Sequence, residues 1–266
     1  MADRKPGAPC RAILTGATGG IGRAIAWELA GRTDWMILVG RNIVALHALQ
    51  EKIGKSKAHV IAGDLTQEGT LATIDRLARQ LGGANLLVNN AGSGDFHDFE
   101  TQDAGAIRNL LDTNLLAPML LTRRLLPLLK EADTAQIINI GSLFGNLGYP
   151  GFAAYGASKA GLRGFTQALR RELADTGITV RHFIPRATRT AINSEAVVAL
   201  NRALKTAEDT PEHVARQFVQ FLDGSAWETT VGAKEAFFKF INQMLPALPD
   251  KAIAGQLSVI RKHMPK

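Results

Sequence analysis

The sequence predicts an α/β protein built on one doubly wound parallel sheet of about seven strands. Short apolar runs of strand length alternate with helix-length segments along the chain, and a glycine-rich turn joins the first run to the first helical segment. Right-handed crossovers in such a sheet bring the loops that follow the strands to one edge. We therefore expect the functional site at that edge.

The predicted strands are 11–15, 35–39, 58–62, 85–89, 136–141 and 178–184, with a weaker seventh near 228–231. Segment 152–175 lacks proline and predicts one long helix. Its glycines indicate close packing against another helix or subunit. A second, amphipathic helix begins with proline at Pro211.

The chain has 266 residues, 46% of them hydrophobic, and no shift in composition suggests a domain boundary. We expect a single dinucleotide-binding domain over 1–266, with a core at 8–231. The polar stretch 186–210 is expected to form a mobile substrate loop, and 232–266 a C-terminal helical extension.

The extension predicts two amphipathic helices separated at Pro246 and Pro249. They could cap a substrate pocket, build an interface, or lie on a membrane; the first two are favoured. In the membrane interpretation, the residues facing lipid headgroups are Lys251, Arg261, Lys262 and Lys266.

The net charge of +7 suits an anionic small ligand, an anionic membrane surface or nucleic acid. No block of basic residues with interleaved aromatics supports nucleic-acid binding, and no cysteine or histidine spacing indicates a metal. The apolar runs are too short to span a membrane, the first ten residues lack a signal-peptide core, and Cys10 is the single cysteine. These features predict a cytoplasmic protein.

The glycine-rich turn lies in residues 11–22, which read RAILTGATGGIG. Glycines at 16, 19 and 22 allow a tight turn and let a phosphate approach the N–H groups at a helix N-terminus. A turn that binds no nucleotide is the alternative for this motif taken alone.

Tyr155 and Lys159 lie four residues apart in YGASK, with Ser142 upstream. On a helix the phenol and the ammonium share one face, where a cation can lower the pKa of the phenol. Surface packing is the alternative. The pair and the glycine turn together favour proton transfer beside a bound nucleotide.

With these motifs the chain resembles the short-chain dehydrogenase/reductase family over about residues 10–225. The matching positions are the turn Thr15–Gly22, Asp64 after the third strand, the NNAG run 89–92, and then Asn114, Ser142, Tyr155 and Lys159. The resemblance implies a Rossmann-like fold, a nicotinamide cofactor, and a homodimer or homotetramer whose interface includes the helix of Tyr155. The extension replaces the short glycine-rich ending usual in the family.

The resemblance also implies roles. Tyr155 would be the general acid or base, Ser142 would donate to the substrate oxygen, and Lys159 would also bind the nicotinamide ribose. Asn114 would hold a water that links Lys159 to solvent. The residues expected to bind the cofactor are Thr15, Gly16, Thr18, Gly19, Gly20, Ile21, Gly22, Arg41, Asn42, Asp64, Leu65, Asn90, Ala91, Gly92, Tyr155, Lys159, Pro185, Arg186, Thr188 and Thr190.

Within that set, Asp64 and Leu65 would hold the adenine, 90–92 would line a ribose, and Thr190 would meet the carboxamide. The family usually has glycine after Pro185, whereas this chain has Arg186. That arginine should add a positive charge near the pyrophosphate or the substrate.

The second strand ends at Gly40 and is followed by Arg41 and Asn42 rather than by an acid. A carboxylate there would repel a 2'-phosphate, whereas a guanidinium can bind it. NADP(H) is therefore the predicted cofactor. A solvated surface arginine is the alternative.

The predicted pocket wall is 93–96, 143–150 and the segment after Pro185, and it is mostly apolar. We therefore expect hydride transfer between NADP(H) and a carbonyl or secondary alcohol of a hydrophobic small molecule. A 3-oxoacyl-thioester reductase is one alternative, and a non-catalytic nucleotide-binding scaffold is another.

Overall fold

A computed structural model describes residues 10–265 and contains one seven-stranded parallel sheet. Its strands follow the order β3-β2-β1-β4-β5-β6-β7. Strands β2 and β3 are therefore added on one side of β1, and β4 to β7 are added on the other side. The strands are β1 Cys10–Thr15, β2 Thr33–Gly40, β3 Ala58–Ala62, β4 Leu86–Asn89, β5 Ala135–Ile140, β6 Ile178–Ile184 and β7 Glu228–Thr230. The predicted fold class and all seven strands are confirmed.

Helices cover both faces of this sheet and explain why its strands are apolar on both sides. In β2, Met36 and Leu38 join the apolar cluster on one face, while Ile37 and Val39 join the cluster on the other. All six residues of β5 are buried. The core therefore consists of two layers separated by the sheet.

The helices up to the sixth strand are α1 Gly20–Leu29, α2 Ile43–Ile53, α3 Glu68–Gln80, α4 Ala104–Leu111, α5 Ala117–Lys130 and α6 Ala153–Glu172. A π-helical turn, Asp112–Leu116, joins α4 to α5. The predicted long helix is α6. A side chain at Gly156 would lie 3.0 Å from the Phe144 carbonyl oxygen, and one at Gly161 would lie 2.8 Å from Leu115, so both glycines serve packing within this chain.

The remaining helices are α7 Glu195–Ala203, α8 Pro211–Asp223, α9 Ala233–Met244, α10 Ala247–Ala254 and α11 Leu257–His263. The segment expected to be a loop thus contains α7, which Ser194 caps by accepting from the Val197 N–H. Between residues 10 and 265 no helix is long and apolar enough to cross a membrane.

The prediction of two helices in the extension was wrong, because the described part contains three. Pro249 does not break α10, since it lies in the first turn, where a backbone N–H has no helical partner to lose. The predicted break at Pro246 is present, between α9 and α10, and a second break falls at Gly255, between α10 and α11. Lys266 lies outside the described residues.

Candidate active site

A cavity of about 920 Å³ runs along the carboxyl ends of the strands. Its walls include the residues that follow each of β1 to β6, as expected at the switch point of a doubly wound sheet. The predicted site residues that line it are Gly16, Thr18, Gly19, Gly20, Ile21, Gly22, Arg41, Asp64, Leu65, Asn90, Ala91, Gly92, Ser142, Tyr155, Lys159, Pro185, Arg186, Thr188 and Thr190. Thr15, Asn42 and Asn114 do not line the cavity.

The glycine turn leaves the N-terminus of α1 open toward the cavity. Gly16 has a φ of +64°, and a Cβ on Gly22 would lie 2.1 Å from the Gly16 carbonyl oxygen, so neither position accepts a side chain without a shift. Gly19 precedes α1 and offers no side-chain cap. The first N–H groups of α1 can therefore bind a phosphate, and the turn fits a pyrophosphate.

Thr15 organises the loops on either side of this turn without contacting the cavity. Its buried hydroxyl accepts hydrogen bonds from the backbone N–H groups of Asn90 and Ala91, both at 3.0 Å. The Asn90 amide in turn donates to the Thr15 and Gly16 carbonyl oxygens at 2.9 and 3.1 Å. These bonds fix the loop after β4 against the loop after β1.

The far end of the cavity carries the predicted ribose and adenine residues. Arg41 is exposed and lines the cavity, whereas the Asn42 side chain caps α2 by accepting from the Ala45 N–H at 3.0 Å. Asp64 accepts from the backbone N–H and hydroxyl of Thr66, both at 2.9 Å. These bonds lower the pKa of Asp64, and the charge of Arg41 adds a smaller effect of the same sign.

The three predicted catalytic groups converge at the middle of the cavity. The Tyr155 phenol and the Ser142 hydroxyl both line the cavity and lie near each other, and the Ser142 oxygen accepts from the Phe144 N–H at 3.2 Å. Lys159 is buried one helical turn along α6 and donates from Nζ to the Ile140 carbonyl oxygen at 3.1 Å. Ser142 and Tyr155 thus lie beside Phe144, and Lys159 lies at the end of β5.

The pKa of Tyr155 differs from the sequence-based expectation. Burial raises it, and the hydrogen bond from Ser142 acts in the opposite direction without outweighing burial. Burial also lowers the pKa of Lys159 to about 8. The expectation that Lys159 lowers the pKa of the phenol is therefore wrong for the protein without ligands, because desolvation dominates both groups.

Asn114 lies in the π-helical turn and is buried. Its Oδ1 accepts from the Ser93 N–H at 2.8 Å, and its Nδ2 donates to the Ser93 carbonyl at 2.9 Å and to the Ser158 hydroxyl at 3.1 Å. A Cβ on Gly92 would lie 3.1 Å from this Oδ1 and 3.4 Å from Lys159 Nζ. Asn114 thus stands next to Lys159, on its inner side.

Arg186 lines the cavity, where the sequence predicts its positive charge, but that charge is paired with acidic side chains. Its guanidinium donates to both carboxylate oxygens of Asp209, at 2.7 and 2.5 Å, and lies 4.0 Å from Glu235. The hydrogen bond to Asp209 raises the pKa of Arg186. Sequence reasoning missed this pairing because Asp209 lies 23 residues further along the chain.

The other half of the cavity has an aromatic wall. Phe96 stacks on Phe152 with ring centroids 4.9 Å apart, and Phe144 stacks on Tyr149 at 5.1 Å. Ile260 of α11 is fully buried in the same cluster. Ile260 thus supports the aromatic wall from behind, and Glu235 and Pro265 of the extension line the cavity itself, which agrees with one of the three alternatives offered by the sequence.

Comparison with known proteins identifies the family. The short chain dehydrogenase family matches residues 11–200. This chain belongs to the short-chain dehydrogenase family.

Among residues 10–265 no group of three or more histidine, cysteine or acidic side chains could hold a metal ion.

Curated relatives include reductases of different substrates. A ketoacyl reductase, HetN, from Nostoc sp. is 32% identical over 223 residues, covering 82% of this chain and 77% of its own. A sulfoacetaldehyde reductase from Chromohalobacter salexigens is 34% identical over 215 residues, covering 76% and 85%. A 3-oxoacyl-[acyl-carrier-protein] reductase from Vibrio cholerae is 31% identical over 196 residues, covering 74% and 79%.

Solved structures of the family share the fold closely. A short-chain dehydrogenase from Streptomyces avermitilis has a TM-score of 0.79 at 27% identity, covering 96% of this chain and 98% of its own. A metagenomic short-chain oxidoreductase in complex with NADP has a TM-score of 0.69 at 29% identity, covering 84% and 96%. The chain is therefore an oxidoreductase of a family whose members bind nicotinamide cofactors.

Proposed function

We propose that this short-chain dehydrogenase transfers a hydride between NADP(H) and a carbonyl or secondary alcohol of a hydrophobic molecule. The observation that carries the proposal is that Ser142, Tyr155 and buried Lys159 come together in one cavity, which has two unlike halves. One half offers a glycine turn and Arg41, and the other offers an aromatic wall.

The residues divide the chemistry of carbonyl reduction. The glycine turn and Lys159 would hold a nicotinamide cofactor, which would supply the hydride when bound. Ser142 donates a hydrogen bond to the substrate oxygen, which gains negative charge in the transition state. Tyr155 then gives its phenolic proton to that oxygen, and in alcohol oxidation the phenolate accepts the proton.

Lys159 stabilises the phenolate that remains on Tyr155 after reduction. Its burial makes its charge costly but also strengthens its interaction with a nearby anion, because little water screens the pair. Asn114 holds the loop of Ser93 beside α6, because two of its hydrogen bonds go to Ser93 and the third goes to Ser158. A water relay from Lys159 along this side stays part of the proposal.

The choice of NADP(H) depends on Arg41. Its side chain is exposed at the end of the cavity beyond β2, where a 2'-phosphate would lie in this family. Asp64 already accepts two hydrogen bonds from Thr66, so its carboxylate is engaged there. A solved serine dehydrogenase that is 25% identical was complexed with NADP+, which agrees with this choice.

The experiment is a screen of carbonyl compounds by NADPH absorbance, with the chain's two tyrosines as a matched pair. Tyr155→Phe should lower turnover by at least about a hundredfold while NADPH still binds. Tyr149→Phe should change turnover only a few-fold, because the Tyr149 hydroxyl bonds to Gln256 rather than to a catalytic group. Equal turnover in both variants would remove Tyr155 from the mechanism, and NADPH binding without turnover of any carbonyl would favour the scaffold.

Reduction of a 3-oxoacyl thioester is a second candidate. A second cavity borders the first along the glycine turn and is lined by Arg23, Arg189, Arg202 and Lys205. These cations would suit the acidic surface or phosphate of an acyl carrier. Neutralising Arg202 and Lys205 with glutamine should raise the KM for a carrier-bound acetoacetyl thioester and leave the KM for a small ketone unchanged.

We also propose that the chain acts as one dinucleotide-binding domain over 1–266 and assembles as a homodimer or homotetramer through α6. The position Gly164 on that helix supports this assembly, because a side chain there would meet nothing within 4 Å in the single chain. The cytoplasmic location stays a proposal supported by the single cysteine.

A further inference from the structure

Helix α9 is attached to the protein by its polar residues. Lys239 donates to the Glu228 carboxylate at 2.6 Å, and the Asn242 amide donates to the Asn146 carbonyl oxygen at 2.8 Å. Glu235 lies beside Arg186 at the edge of the cavity. These three residues are spaced four and three apart, so they form one face of the helix, and that face points inward.

The opposite face of α9 is apolar and points outward. Phe237, Phe240 and Met244 follow the same helical spacing and are 60%, 56% and 64% exposed. The set of exposed apolar side chains in this region, here named the α9–α10 patch, is Phe237, Phe238, Phe240, Met244, Leu245 and Leu248.

This arrangement is the reverse of an ordinary surface helix, which buries its apolar stripe and exposes its polar one. Six of the fourteen large apolar side chains that are exposed between residues 10 and 265 fall within the patch. Scattered exposed apolar residues are normal, but a concentration of six within residues 237–248 indicates a binding surface.

The charge around the patch decides between two kinds of occupant. Lys239 is held by Glu228 and Glu235 lies beside Arg186, which leaves Lys234, Lys251, Arg261 and Lys262 against Asp250 among the described residues of the extension. Lys234 and Lys251 are exposed on the two helices that carry the patch, so a second copy of this face would meet charge of the same sign. An anionic surface would attract the same lysines.

We propose that the α9–α10 patch docks on a lipid bilayer that contains anionic headgroups. The phenylalanines enter the boundary between headgroups and acyl chains, while Lys234 and Lys251 stay at headgroup level. A hydrophobic substrate dissolved in such a bilayer would suit the aromatic cavity wall. Only this last clause rests on the proposed function.

The test is co-sedimentation of the full chain with vesicles of phosphatidylcholine, alone or mixed with phosphatidylserine. Binding should be at least about tenfold stronger to the mixed vesicles and should weaken with added salt. The double variant F237S/F240S should bind mixed vesicles at least about tenfold less. F99S is the matched control, because Phe99 is 62% exposed outside the patch, and its binding should equal that of the wild type.

A further variant, K234Q/K251Q, should lose the preference for phosphatidylserine and its dependence on salt. Far-UV circular dichroism of every variant checks that the fold is kept. Absence of wild-type binding to mixed vesicles, or an equal loss in F99S, would overturn the proposal. Sedimentation velocity gives the rival outcome: a wild-type oligomer that F237S/F240S dissociates would mean that a second copy covers the patch. Vesicle binding is measured without turnover, so failure of the carbonyl screen leaves this result intact.

Discussion

Glu228 on β7 ties four parts of the chain together. Its carboxylate accepts from Arg163 of α6 at 2.7 Å, from Lys239 of α9 at 2.6 Å and from His182 of β6 at 3.1 Å. Burial alone would raise the pKa of Glu228, but these hydrogen bonds outweigh burial and hold it well below its usual range. Replacing Glu228 with glutamine should therefore destabilise the fold strongly.

The magnitude follows from how little water reaches the group. The Glu228 side chain is 8% exposed, and removing one partner of a buried ion pair costs about 3–5 kcal/mol. Two factors reduce this cost: water can still reach Arg163 and Lys239, and the glutamine side chain keeps one oxygen that accepts hydrogen bonds. We therefore expect Glu228→Gln to lower the free energy of unfolding by about 3 kcal/mol. For a domain of this size that lowers the Tm by about 6–12 °C.

The assay is thermal and urea unfolding of Glu228→Gln beside Asp223→Asn. Asp223 also forms a bidentate pair, with Arg32, but both side chains are about half exposed. Its loss should cost no more than about 1 kcal/mol, because solvent screens the pair. Equal destabilisation by the two variants would refute the reasoning from burial.

The stability contribution of Glu228 should also depend on pH. Because the pKa of Glu228 is depressed in the folded state, its contribution is complete above about pH 4.5 and declines as the pH falls further. The difference in stability between wild type and Glu228→Gln should therefore narrow in acid.

Three other predictions concern the cofactor. Arg41→Asp should shift the ratio of kcat/KM for NADPH and NADH toward NADH by about a hundredfold, and an unchanged ratio would overturn the ribose assignment. The kcat/KM for NADPH should fall as the pH rises through about 8, where Lys159 loses its proton, and any residual activity of Lys159→Arg should lack this bend. Gly22→Ala should weaken NADPH binding at least about tenfold, measured by fluorescence titration, because its Cβ would force the Gly16 carbonyl to move; Gly31→Ala, with nothing within 4 Å, is the control.

The sheet could be predicted from sequence because its signals are local. Each strand is a short run of apolar residues, and the turn chemistry beside it is carried by neighbouring residues. The same holds for Tyr155 and Lys159, which one turn of α6 brings together, and for the turn that starts at Gly16.

What the sequence could not supply were contacts between distant segments. The pairing of Arg186 with Asp209 was missed because Asp209 is far along the chain, and the pKa of Tyr155 was misjudged because burial cannot be read from spacing. The orientation of α9 was also hidden. An amphipathic pattern defines two faces, but only the partners of Lys239 and Asn242 show which face points inward.

The aromatic wall and the proposed proton-transfer groups belong to separable parts of the molecule. Ser142, Tyr155 and Lys159 lie at the end of β5 and on α6, whereas the segment after the last strand supplies Ile260, which packs behind the wall, and Pro265, which lines the cavity. Mutations in that tail can reshape what enters without disturbing the groups that react. A library for directed evolution of selectivity would therefore sample residues 257–265 first. Relatives that act on other substrates are expected to differ in this segment.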